Sequence, residues 1–392
     1  LTIQKTKTKK QRSFFWYDLS TGTKSALFYI FCDILRWNRV GYHMKKKKIA
    51  VLFGGMSPEY EVSLESSHAV LSSIRRDQYE VLPLGITKTG QWYRYTGPLV
   101  KIRDDTWHLD RGHCRATVIA PDRPGHLLET DGACAVRIPL DAVFPVLHGR
   151  NGEDGTIQGL CALAGIPVVG CGTLSSALCM DKDRAHKLVA AAGIRVPKSV
   201  CIKCSPSDRA LEALTANLSF PLFVKPVRAG SSIGISKVLA YSQLMGAIQT
   251  ALCHDNTVLL EESIGGFEVG CAVMGNDDLV LGRVDEIELA DGFFDYTEKY
   301  TLKTSKIHMP ARLDKTTEAR IKETAAHIYR ILGCAGFARV DMFLTPDQDI
   351  VFNEVNTIPG FTSHSRFPNM MKGVGIDFEA LVDRLLELGL RT

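Results

Sequence analysis

Short apolar runs alternate with helical stretches through the first part of the body, and this alternation most narrows the fold. KKKIAVLFGG (46–55) runs apolar into a glycine pair, EYEVSLESSHAVLSSI (59–74) reads as a helix, and YEVLPLGI (79–86) as a second strand. DAVFPVLHG (141–149) and GIPVVG (165–170) read as later strands, with helical TIQGLCALA (156–164) between them. Such alternation predicts a parallel sheet covered on both faces, whose ligands collect at the carboxyl ends of its strands. Gly54, Gly55 and His148 stand at such ends. Beyond Gly170 the pattern changes. SSALCMDKDRAHKLVAAAG (175–193) predicts one helix, and PLFVKPV, SIGISKV and TVLLEESI predict a small unit with antiparallel strands. A third region from about Glu262 carries more strands, a long loop around 290–310 and a helix after Pro310. The expected class is α/β followed by α+β, divided as 44–170, 171–261 and 262–392.

Near the end lies VDMFLTPDQDIVFNEVN (340–356), two apolar arms around a polar turn, the signature of a β-hairpin. Symmetric pairing sets Asp341 opposite Glu354 and Arg339 opposite Asn356, all on one face because strand side chains alternate. Two carboxylates about 5 Å apart repel unless a cation lies between them. Carboxylate and amide oxygens suit magnesium, which shares its shell with phosphates; the bland alternative is an outer face neutralised by Arg339.

VRAGSSIGIS (227–236) joins two strands of the middle unit, and its glycines at 230 and 234 allow backbone N–H groups to approach phosphate oxygens. The GxxxxGK[ST] spacing of a P-loop is absent, so the stretch is either another phosphate grip or a tight turn. Lys225, in FVKP, sits on an otherwise apolar strand where an unpaired ammonium is costly. Lys182, in CMDKDRAHK, reads alone as an exposed helical lysine. Two such lysines, a glycine loop and a metal hairpin together suit a nucleoside triphosphate.

Composition excludes other classes. Residues 1–43 hold eight Lys/Arg against Asp18 and Asp33, so the formal +4 of the chain belongs to this segment and the body is slightly acidic, unlike a nucleic-acid binder. The segment has no sustained pattern, and Met44 reads as the start of the body, with 1–43 a disordered, non-native or upstream-read extension. SALFYIFCDIL (25–35) is too short to span a membrane and contains Asp33. The eleven cysteines sit mostly in apolar runs, including Cys161, Cys171, Cys179, Cys271 and Cys334, which suits reduced thiols in a cytoplasm. The one CxxC, Cys201 to Cys204, lacks a second pair or a histidine at zinc-ligand spacing.

The motifs MDK (180–182), VKPVRAGSSIG (224–234), LLEESIGGFEVG (259–270), ARVDMF (338–343) and NEVNTIPGFTSHS (353–365) resemble, in order and spacing, those of the ATP-grasp ligases. GGMSPEYEVSL (54–64), HGRNGEDGTIQG (148–159) and FFDYTEKY (293–300) narrow the resemblance to the D-alanine:D-alanine ligase family over residues 46–390. A carboxylase-type relative lacks the GGMSPEYEVS and SHS motifs, and a non-catalytic nucleotide module loses the metal ligands retained here. The resemblance implies a three-domain ATP-grasp fold with a Rossmann-like N-terminal domain, a cytoplasmic homodimer, and ATP with two magnesium ions, manganese being a possible substitute. It places Lys182 and Lys225 on the phosphates under a loop containing Gly230 and Ser232, with Glu261 and Glu262 beside adenine and Glu268 on the ribose. Asp341, Glu354 and Asn356 become the metal ligands, and Arg339 with the Gly360 N–H the stabilisers of a tetrahedral oxyanion. Glu59 receives the ammonium group of a first D-alanine and is linked through Ser231 to Tyr300, and His148 lies near that substrate's carboxylate. His186 departs from the lysine that many relatives carry, which implies weaker ATP binding.

Within the family the pattern is most similar to the vancomycin-resistance D-alanine:D-serine ligases. Tyr300 is retained where makers of D-alanyl-D-lactate depart from tyrosine, favouring an amine nucleophile. Arg366 replaces the leucine usual in housekeeping ligases, exchanging an apolar wall for donors. Asp285 is expected to place Arg366 or to form a structural ion pair with it, with Phe294, Lys299 and Ser365 completing the second-substrate pocket. D-serine is the expected second substrate and D-alanine the alternative.

Overall fold

The structure, a computed structural model, describes residues 46–289 and 305–391. The chain from Lys47 onward forms one compact unit built on three sheets. In the first, β1 (Lys47–Gly54) runs parallel to β2 (Tyr79–Ile86) and to β7 (Ala142–Pro145). The helix Tyr60–Ser73 crosses between β1 and β2, and β1 has no exposed residue from Ala50 onward, as a strand covered on both faces requires. The expected parallel strands are present, but the sheet is mixed. β3 (Trp92–Tyr95), β4 (Cys114–Ile119), β5 (His126–Thr130) and β6 (Ala135–Pro139) extend it as an antiparallel meander beyond β2. GIPVVG contributes only an isolated bridge, Val143 to Val168, because Pro167 interrupts it.

The predicted helix after Gly170 is two. Thr173–Met180 ends where Asp181 turns extended and caps Lys182–Ala191 by accepting from the Arg184 amide at 3.0 Å. Lys182 thereby becomes the first residue of a new helix and is buried. The second sheet, ordered β10-β9-β11-β8, is antiparallel as expected, with β8 at Ser199–Ile202, β9 at Leu222–Pro226, β10 at Ser236–Val238 and β11 at Val258–Glu262.

The third sheet runs β14-β13-β12-β15-β16, all antiparallel, from β12 (Phe267–Met274), β13 (Val280–Leu289), β14 (Ser305–His308), β15 (Phe337–Leu344) and β16 (Ile350–Asn356). Helix Lys315–Ile331 covers one face through Ile321, Ala325 and Ile328, which recur at helical spacing. Helices Arg366–Lys372 and Phe378–Gly389 join this sheet to the first in a shared core, where the rings of Phe144, Phe337, Phe361 and Phe367 meet edge-on or tilted. Cys161, Cys171, Cys179, Cys271 and Cys334 are buried free thiols. Among the described residues no helix is long and apolar enough to cross a membrane.

Candidate active site

The hairpin β15–β16 has the expected register: Asp341 faces Glu354 and Arg339 faces Asn356. It reaches that register through an irregularity. Near the turn Leu344 pairs with Ile350, which taken alone sets Asp341 opposite Asn353; a bulge at Asn353 restores the Glu354 pairing. The bulged residue is used, since its carbonyl accepts from His186 Nε2 at 2.8 Å.

Gly270, at the middle of the central strand β12, faces Asp285 on β13 and Asp341 on β15. Asp285, Asp341 and Glu354 thus fall in one row across the sheet with a gap at the glycine. Arg366 fills that gap. A Cβ on Gly270 would lie 2.4 Å from Arg366 Nη2 and 2.7 Å from Asp285 Oδ1, so glycine is required for the guanidinium to enter. Arg366 donates from Nε and Nη2 to the two oxygens of fully buried Asp285 at 2.7 and 2.8 Å, and from Nη1 to Glu268 at 3.0 Å. Arg339 grips Asp341 in the same way at 2.8 and 2.7 Å, and the Asn356 amide adds a bond to Asp341 at 2.9 Å. Burial alone would weaken both guanidinium charges, but Asp341 beside Arg339 and Asp285 beside Arg366 hold them above their ordinary pKa.

Above this row opens a cleft lined by Lys182, Lys225, Gly230, Ser231, Ser232, Glu261, Glu262, Glu268 and Glu354. Lys225 pairs with Leu259 across β9–β11, so Glu261, two residues on, shares its face and takes the buried ammonium at 2.6 Å. Lys182 Nζ donates to the Ala229 carbonyl at 2.8 Å and lies 3.4 Å from Glu354. The loop over the cleft bends through left-handed backbone at Ser231 and Ser232 as well as Gly234. The Ser231 hydroxyl donates to Glu59, which ties the loop to the start of helix Tyr60–Ser73. Burial lowers the His186 pKa, against the pull of Glu261 and the Asn353 carbonyl. With Nε2–H spent on Asn353, its Nδ1 faces Glu261 Oε2 at 3.7 Å, and neither atom has a hydrogen-bond partner among the described residues.

His148 is buried with both ring nitrogens engaged, Nδ1 with the Ile358 carbonyl at 2.8 Å and Nε2 with Ser66 Oγ at 3.1 Å. Burial lowers its pKa, although Glu59 pulls the other way. Ser365 precedes helix Arg366–Lys372, and its hydroxyl accepts from the Thr362 amide at 3.0 Å, closing the turn after Gly360. Phe294, Lys299 and Tyr300 lie outside the described residues. Two residues escaped the sequence reading: Ser66, polar on an otherwise ordinary helix, and Glu153, inside the quoted HGRNGEDG motif. Glu153 accepts from the Gly149 amide at 2.9 Å and the Ile358 amide at 2.8 Å. Burial and then Glu59 push its carboxyl up to about 8, against the pull of those two amides.

Glu354 lines the cleft with the two lysines, and Asp341 and Asn356 stand beside it on the same face of the hairpin, Asp341 buried beneath Arg339 and Asn356. Among the described residues no three His, Cys, Asp or Glu gather as a complete metal cage. Carboxylate and amide oxygens of this kind suit a hard cation that takes the rest of its shell from water and phosphate oxygens. Lys225→Ala should raise the KM for nucleotide at least about tenfold and cost roughly 3–5 kcal/mol, because Glu261 loses its buried partner. Thermal melting should recover in Lys225→Ala/Glu261→Gln while nucleotide use stays impaired; equal recovery of both would show that the pair serves only the fold.

The two halves of the chain match the family models described as D-ala D-ala ligase N-terminus, over residues 48–171, and D-ala D-ala ligase C-terminus, over 188–387. The vancomycin C-type resistance protein VanC1 of Enterococcus gallinarum is 45% identical over 87% of this chain and 98% of its own. The D-alanine–D-alanine ligase of Caldicellulosiruptor bescii is 42% identical over 88% of this chain and 96% of its own. Among solved structures, the VanG D-Ala:D-Ser ligase from Enterococcus faecalis superposes with a TM-score of 0.82 at 59% identity, covering 88% of this chain and 99% of that one. A lysine-lined cleft over a carboxylate hairpin, joined to matches of this extent, leaves one conclusion: the chain belongs to the D-alanine–D-alanine ligase family of ATP-dependent ligases.

Proposed function

We propose that this ligase joins D-alanine to D-serine through a D-alanyl phosphate, as in vancomycin resistance, in three domains near 44–170, 171–261 and 262–392. The observation that carries the choice of D-serine is the Arg366 guanidinium held in the gap at Gly270 by buried Asp285. The likeness to a solved D-Ala:D-Ser ligase supports it. A guanidinium has five N–H donors; among the described residues three are bonded, through Nε, Nη2 and Nη1, and Asp341 lies 3.5 Å from Nη2, so the second Nη1 hydrogen is the one offered to a substrate hydroxyl. A housekeeping D-alanine:D-alanine ligase is the second reading, supported by the bacterial relative of that name.

The residues divide the work as follows. Glu261, which lines the cleft, accepts from the exocyclic amine of adenine, and Lys182 and Lys225 neutralise phosphate oxygens beneath the loop at Gly230 to Ser232. Asp341, Glu354 and Asn356 would hold two magnesium ions, which supply charge neutralisation to the transferring phosphoryl group. Glu59 takes the ammonium of the first D-alanine while Ser231 holds the loop shut over it, excluding water. That substrate's carboxylate oxygen attacks the γ-phosphorus and ADP departs. The amine of the second substrate then attacks the acyl carbon; Arg339 and the Gly360 N–H meet the oxyanion, and phosphate leaves as the amine loses a proton. Incubation with ATP, magnesium, D-alanine and D-serine near neutral pH should give mainly D-alanyl-D-serine on product chromatography. Dominant D-alanyl-D-alanine under excess D-serine would transfer the assignment to the housekeeping reading.

A further inference from the structure

The Gly360 amide lies between two amides that are pinned from the N-terminal sheet region. Ile358 N donates to Glu153 Oε1 at 2.8 Å, and Phe361 N donates to Ser66 Oγ at 3.1 Å. Glu153 is itself fixed, because its other oxygen accepts from Gly149 at 2.9 Å. The protons can be traced. His148 Nδ1 faces the Ile358 carbonyl and so carries hydrogen, which leaves Nε2 as an acceptor for the Ser66 hydroxyl. Ser66 in turn accepts from Phe361 N, giving an ordered run from Phe361 N–H through Ser66 and His148 to the Ile358 carbonyl. His148, Ser66 and Glu153 thereby clamp both ends of the segment 358–361 against the stretch that follows β7 and against helix Tyr60–Ser73.

We propose that Glu153 and Ser66 are positioning residues for the second chemical step: by holding the amides of Ile358 and Phe361 they aim the Gly360 N–H at the oxyanion formed when the amine attacks. The assignment rests on the role given to Gly360 above. Neither Glu153 nor Ser66 lines the cleft that holds Lys182 and Lys225, so neither is assigned to the phosphates. Both oxygens of Glu153 accept a backbone N–H, and these bonds favour its ionised form against burial and Glu59; glutamine would turn its amide nitrogen toward one backbone N–H and leave that donor without a partner.

The test compares full-length wild type with Ser66→Ala and Glu153→Gln, measuring phosphate and dipeptide together. Loss of one oxyanion donor lowers kcat by about 10²–10³-fold, so a misaimed donor should lower dipeptide formation by at least about tenfold. D-alanine-dependent phosphate release should fall far less, and KM for ATP should stay within about twofold, because acyl phosphate still forms and is lost to water. The ratio of phosphate to dipeptide therefore rises above that of the wild type. A purely structural role lowers both products in parallel along with the melting temperature, and that result, or variants matching wild type, overturns the proposal. Wild type that makes no dipeptide would instead overturn the ligase assignment on which it rests.

Discussion

Glu354→Gln should lower kcat by at least about 10³-fold while leaving the melting temperature close to that of the wild type. About 4 kcal/mol of transition-state stabilisation corresponds to that factor, a reasonable share for a carboxylate that anchors the cation beside a transferring phosphoryl group. Stability should hold because Glu354 is only partly buried and its neighbour Lys182 keeps the Ala229 carbonyl at 2.8 Å. Asp341→Asn is the poorer test. Asp341 is 1% exposed and holds both Arg339 and Asn356, so loss of activity there would mix chemistry with unfolding. Phosphate release with and without D-alanine, measured beside thermal melting, reads both quantities. Turnover within tenfold of wild type would remove the hairpin from the phosphoryl-transfer site.

The hairpin was legible because strand side chains alternate: a polar residue at every second position of an apolar arm declares a face, and opposed arms declare partners. The bulge at Asn353 was not legible, since an added residue leaves no mark in the alternation. The short strands β3 to β6 were missed for a related reason. They form an outlying meander in which Arg94, Arg115 and Arg137 interrupt any apolar run, while the parallel strands beside them read at once. Asp181 was visible as a residue that caps helices, yet the apolar face on either side of it suggested one continuous helix. Lys182 consequently read as exposed when it is buried. Gly270 carried a signal, a glycine in a strand interior, but what approaches it lies nearly a hundred residues away at Arg366. Glu153 and Ser66 act through backbone amides of a distant loop, and such a partner has no side-chain identity for a sequence to reveal.

Selection of the second substrate gives the other large effect, and its burial dictates the variant. Arg366→Leu alone strands Asp285, which is fully buried and otherwise bonded to the Gly270 amide at 3.1 Å, at a cost of roughly 3–5 kcal/mol. Any change in products would then be confounded with loss of fold. Asp285→Asn/Arg366→Leu removes both charges, retains a side-chain oxygen for the Gly270 amide and restores an apolar wall, so it should melt well above the single variant. One hydrogen bond from a charged donor contributes about 1.5–3 kcal/mol. The preference for D-serine over D-alanine, as a ratio of kcat/KM values, should accordingly fall about 10- to 100-fold in the double variant. Because Arg366 Nη1 also holds Glu268, which lines the nucleotide cleft, KM for ATP should rise in parallel. An unchanged serine preference with restored stability would show that the pair only fills the gap at Gly270, and that discrimination comes from elsewhere in the pocket.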